Sequence, residues 1–198
     1  MHLCLFASIA SRNQKDTYLL CMTEVEQPGT GQLYLVTLTV AGSVDVFARV
    51  DYCEIIINNL NYCIKGKNLV VYAYVLTSSR LHMIAAAKKG HISRVLRDFK
   101  TLTARQVLKA ISENPDENRK EWLMRLFHFF SHRYQHSSDR HFWQFGNNPV
   151  SLDSKELTQA RTGLLQIPVR SRLVDEPEHY VFCSAYSNQQ VNLGRWPD

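Results

Sequence analysis

The stretch Leu69-Val70-Val71-Tyr72-Ala73-Tyr74-Val75-Leu76-Thr77-Ser78-Ser79-Arg80-Leu81-His82-Met83-Ile84-Ala85-Ala86-Ala87 carries the strongest fold signal in the chain. Two apolar runs rich in β-branched and aromatic residues flank a short polar link, Thr77 to Arg80. A link that short allows only an antiparallel pair. Upstream, Gln32-Leu33-Tyr34-Leu35-Val36-Thr37-Leu38-Thr39-Val40 reads as another strand, closed by Ala41-Gly42-Ser43. Between them, Val46, Phe47, Val50, Ile55, Ile56, Leu60 and Cys63 recur near helical spacing, and Lys65-Gly66-Lys67 supplies a stop. Strand, helix, strand, strand is half of a ferredoxin-like unit, so the expected class is α+β, an antiparallel sheet with helices packed on it.

Downstream, Ile92 to Ile111 is the clearest amphipathic helix. Ile92, Val95, Leu96, Phe99, Leu102 and Val107 share one side, and Arg94, Arg97, Arg105 and Lys109 fall opposite. Asn114-Pro115 matches a cap followed by proline at the start of a helix that continues over Glu121–Phe130. His141-Phe142-Trp143-Gln144-Phe145 predicts a short strand, Ser154 a cap for a helix ending at Leu165, and Tyr180-Val181-Phe182 a last strand.

At 198 residues and 45% hydrophobic, the chain suits one domain with a real core. The expected division is an N-terminal extension over 1–29, a domain over 30–186 and a tail over 187–198. The net charge is +5, and residues 88–133 hold 11 Lys/Arg against 5 Asp/Glu, which places the excess in one region. Cys4, Cys21, Cys53, Cys63 and Cys183 are scattered, with no C-x-x-C pair, as expected of reduced thiols in the cytoplasm. Met1 to Ala10 is apolar without a basic flank, and no run reaches membrane-spanning length, so no membrane partner is expected.

Several segments, in this order and spacing, resemble the REP-associated tyrosine transposases of the HUH single-strand type. They are Tyr34-Leu35-Val36-Thr37-Leu38-Thr39, Val44-Asp45-Val46-Phe47, Tyr72-Ala73-Tyr74-Val75-Leu76, Phe99-Lys100-Thr101-Leu102-Thr103-Ala104, Phe142-Trp143-Gln144 with Asn148-Pro149, and Pro177-Glu178-His179-Tyr180. The resemblance implies a histidine pair on a strand, separated by one hydrophobic residue, that holds a divalent metal. It also implies a helical tyrosine that attacks the scissile phosphate. DNA, single-stranded or hairpin, is the implied partner, and a homodimer is common in such relatives.

Both halves of that chemistry look broken. Where the resemblance calls for the histidine pair stands Arg80-Leu81-His82. A guanidinium stays protonated and offers only donors, so His82 is at most a vestigial metal ligand. The nucleophile position falls at or beside Gly163, and no tyrosine lies between Tyr134 and Tyr180. No cofactor is expected, with Mg or Mn required only if the chain is active.

The expectation is therefore a DNA-binding transposase relative without cleavage activity. The alternatives are an active transposase with a rearranged site, or an RNA- or protein-binding module on the same fold. Arg80 either holds a phosphate bidentately or marks drift. The basic set Lys88, Lys89, Arg94, Arg97, Lys100, Arg105 and Lys109 is either a phosphate-tracking surface or a solvated face. Trp143 and Gln144 either meet unpaired bases or pack inside. His128, His132 and His136 stand at i, i+4, i+8, a metal-compatible spacing with no fourth ligand type beside it.

Overall fold

The computed structural model describes residues 32–133, 141–146 and 149–197. Four strands, β1 (Leu33–Thr39), β2 (Leu69–Leu76), β3 (Arg80–Ala87) and β4 (Val150–Leu152), form one sheet in the order β2-β3-β1-β4. Every neighbouring pair is antiparallel. Helix α1 (Val50–Gly66) joins β1 to β2, and α2 (Ile92–Glu113) with α3 (Lys120–Arg133) joins β3 to β4. The ferredoxin-like α+β expectation is met.

Both faces of the sheet are covered, which explains why β2 and β3 read as nearly unbroken apolar runs. One face carries Val36, Leu38, Tyr74, Leu81, Met83 and Ala85 against α1, α2 and α3. The other carries Leu33, Ala73, Val75, Ile84 and Ala86 beneath α4 (Leu157–Leu165) and the C-terminal segment. Helix α1 turns Tyr52, Cys53, Ile56, Ile57, Leu60 and Cys63 inward, and α2 does so with Ile92, Val95, Leu96, Phe99, Val107 and Ile111, each at helical spacing. Buried Asn59 clips the two helices together through Nδ2, which donates to Gln106 Oε1 at 2.7 Å.

Local boundaries depart from expectation where tertiary partners compete. Residues 46–48 form a separate 3-10 turn before α1. Asn114 closes α2 through its backbone N–H to Ala110 O, rather than opening the next helix, and α3 begins at Lys120. The link between them is pinned by Glu117, a carboxylate only 5% exposed. It accepts from Tyr52 Oη at 3.3 Å and from Arg119 Nε at 3.2 Å, and Arg119 in turn holds Asp45 at 2.8 Å.

The strand expected at 141–145 reduces to a bridge, Trp143 to Val40, and β4 lies further on at Val150–Leu152. Ser154 makes no cap. Helix α4 starts at Leu157, after a turn in which Glu156 Oε2 accepts from the Asp153 N–H at 3.1 Å.

The last segment is part of the fold. Cys183 bridges Val75, Leu76 N donates to Phe182 O, and Gly194 N donates to Val71 O at 2.8 Å, so residues 182–194 cover the outer edge of β2. Val191 is buried, and Trp196 meets Tyr72 edge-on at 6.2 Å under the Arg161 guanidinium. Tyr72 is the extra residue of a bulge, where the β2–β3 register shifts between Val71 and Ala73. Val191, Gly194 and Trp196, in the segment expected as a tail, thus contact the domain.

Candidate nucleic-acid interface

Alternation along β3 sends Arg80 and His82 to the face away from α1 and α2. On β1 their partners are Thr39 and Thr37. Above this face, α4 is followed at once by the single turn α5 (Ile167–Arg170). Ala160, Gly163, Leu164 and Ile167 lie at i, i+3, i+4 and i+7 and so face the sheet together. With Leu35, Thr37, His82 and Arg170 they enclose a cleft of about 310 Å³.

The arrangement therefore brings His82 and Gly163 to opposite walls of one cleft. A side-chain carbon added to Gly163 would meet nothing within 4 Å. Thr37 Oγ1 and His82 Nδ1 are 3.0 Å apart, which orients the ring. Burial, with the Arg80 charge adding to it, pushes the imidazole down to about 4, so His82 is neutral at physiological pH. Arg80 is exposed, and its carbonyl is held by Thr77 through both N–H and hydroxyl at the turn. Its guanidinium makes no ion pair among the described residues. Arg170, also exposed, lines the same cleft and was not singled out from the sequence. Its position depends on the turn at Gln166 that separates α4 from α5, with Pro168 in the first turn of α5.

A divalent cation does not fit the groups present. His82 spends one ring nitrogen on Thr37, its strand neighbour Arg80 brings a positive charge, and no group of three or more His, Cys, Asp or Glu gathers among the described residues. Among the described residues no tyrosine lines the cleft. Tyr180 is committed elsewhere: its hydroxyl donates to Leu76 O at 2.9 Å, and burial pushes it up to about 12. Tyr134 lies outside the described residues.

The remaining sequence-derived positions do not join this site. Helix α2 packs on the opposite face of the sheet, so Arg94, Arg97, Arg105 and Lys109 point to solvent on the far side of the molecule. Lys88 and Lys89 follow the end of β3 distant from Arg80. Asp98 interrupts the basic stripe, and Lys109 pairs with Glu113 at 3.8 Å. Lys100 sits half-buried on the flank, where desolvation lowers its pKa.

Trp143 is a core residue, 2% exposed, with its indole N–H donated to Thr103 Oγ1 at 3.0 Å, so it presents no face to a base. Gln144 is half-buried and continues the β1 edge through its N–H to Thr39 O. Asn147 and Asn148 lie outside the described residues. On α3, His128 and His132 approach through their Nε2 atoms at 3.0 Å, and His136 lies outside the described residues.

Comparison with known proteins agrees with the architecture. No family model and no curated protein sequence matches the chain. A solved structure does, a REP-associated tyrosine transposase bound to a REP hairpin, with a TM-score of 0.56 and 12% identity over 81% of each chain. The two share a fold. At that identity the likeness speaks for the scaffold alone, and function has to be argued from the cleft. No helix among the described residues is long and apolar enough to cross a membrane.

Proposed function

We propose that this chain is a DNA-binding relative of the REP-associated tyrosine transposases that holds single-stranded or hairpin DNA without cutting it. The observation that carries the reading is the pairing across the cleft, with His82 on one wall and side-chain-less Gly163 on the other. Strand scission of the tyrosine type needs a nucleophilic hydroxyl and an electrophile-activating cation in one place. At this place there are instead a neutral imidazole, a glycine and the exposed Arg170, with exposed Arg80 two residues from His82 along the same strand. Guanidinium groups recognise phosphate through paired N–H donors and need no metal, so the cations suit retention of a strand. The solved transposase of similar fold is bound to a hairpin, which makes hairpin DNA the first ligand to try.

The test is incubation of the full chain with labelled hairpin and single-stranded DNA, with and without Mg²⁺ or Mn²⁺, scoring binding, cleavage and covalent adducts. Binding that weakens steeply with salt and leaves the DNA intact is expected. A covalent protein–DNA adduct refutes the inactive reading. Absence of DNA affinity at low salt refutes DNA binding and leaves RNA or a protein as the partner.

A further inference from the structure

We propose that the cleft between His82 and Gly163 receives one unpaired nucleobase of the bound strand, with the flanking phosphates held outside it by Arg80 and Arg170. The inference rests on the DNA-binding reading above and names the part of the strand that enters the site.

Shape and polarity both favour a base over a phosphate. Leu35, Leu164 and Ile167 give the cleft apolar walls, while Ala160 and Gly163 keep the helical wall shallow. The polar groups among the lining residues are Thr37, His82 and Arg170, and of these only Arg170 is charged and exposed. A phosphodiester moved inward would leave its charge facing a hydroxyl, a neutral ring and aliphatic carbon, which is costly. At the exposed arginines it keeps both water and a counter-charge.

A planar heteroaromatic ring has the opposite requirements, namely apolar contact on its faces and a few hydrogen-bonding groups at its edge. Thr37 occupies His82 Nδ1, and Nε2 has no partner among the described residues, so it is available to a base edge. The volume of about 310 Å³ lies at the small end of ligand sites, suited to a single base rather than a pair. A side-chain carbon added at Gly163 would meet nothing within 4 Å, so a large residue on this wall has room to project.

The experiment is an abasic scan. Hairpin and single-stranded DNAs lacking one base at a time are titrated against the wild-type full chain and against Gly163→Phe, which fills the cleft, with circular dichroism to verify folding of the variant. One position is expected to dominate, with a loss of roughly 10- to 100-fold on removal of its base. Gly163→Phe should show the same loss with intact DNA and no further loss with the abasic strand.

Uniform tolerance of abasic positions by a wild-type protein that binds tightly overturns the base pocket and leaves DNA binding standing. Wild-type affinity in a folded Gly163→Phe does the same. Failure of the wild-type chain to bind any strand overturns both readings. If the variant does not fold, the scan on the wild-type protein decides alone.

Discussion

The depressed pKa of His82 makes the cleft a measurable contributor to stability. The imidazole titrates near 4 in the folded chain and near 6.5 when unfolded. The unfolded state therefore takes up the proton first as acid is added, and the fold loses stability with it. Above about pH 6.5 the contribution is complete. It declines as pH falls through the window between 6.5 and 4, and levels off below the folded value. Linkage puts the loss at about 2 kcal/mol by pH 5 and ~3 kcal/mol at the acid limit.

Urea denaturation of wild type and His82→Asn at pH 7, 6, 5 and 4.5 isolates this contribution, because acid effects from Glu117 and other carboxylates are common to both proteins. The wild type should lose stability relative to the variant by about that amount between pH 7 and pH 5. An NMR titration of the His82 ring should show a midpoint near 4. Parallel pH dependence in the two proteins, or a ring midpoint above 6, would show that His82 is hydrated and that the cleft is more open than the geometry here. Arg80→Ala should raise the midpoint only in part, since burial is the larger cause and the Arg80 charge the smaller.

Gly194→Val sets a side-chain carbon 2.6 Å from Val70 Cγ1 and 3.3 Å from Tyr72 Cε1 at a covered strand edge; a loss of about 1–3 kcal/mol by thermal melting is expected, and an unchanged Tm argues against residues 182–194 covering the edge of β2. Thr103→Val keeps the shape but orphans the Trp143 indole N–H in the core, at a cost of about 1–3 kcal/mol with a changed near-ultraviolet spectrum. Tyr74→Phe should be neutral or stabilising by roughly 1 kcal/mol, because its buried hydroxyl has no partner among the described residues. Joint replacement of Arg94, Arg97 and Arg105 by Ala tests α2 as a second DNA surface. If each contacts a phosphate, the slope of log affinity on log salt falls by about 2–3, and an unchanged slope removes α2 from the interface.

Much of the scaffold was legible because it follows short-range rules. The Leu69–Ala87 stretch could only be a hairpin, and the spacing of inward residues in α1 and α2 matches what the core uses. Three-residue β4 was not legible. Val150-Ser151-Leu152 has no pattern of its own and is a strand because Leu33 and Leu35 of β1 offer it a register. Asn114-Pro115 is locally a helix start signal. The buried Glu117 network with Tyr52 and Arg119 decided otherwise. Trp143 was open to two readings until Thr103 supplied the acceptor that lets an indole be buried.

Residue identity alone sets what Arg80 and Gly163 cannot supply. Arginine cannot ligate a cation and glycine cannot attack a phosphate, wherever the fold places them. The sequence also determined the alternation that turns Arg80 and His82 to one side of a strand. Packing sets Gly163 opposite His82, brings Arg170 to the same cleft, and puts the α2 cations across the sheet from both. These are relations between segments far apart in the chain. They arise from the packing of α4 on the free face of the sheet, through contacts that no local periodicity encodes.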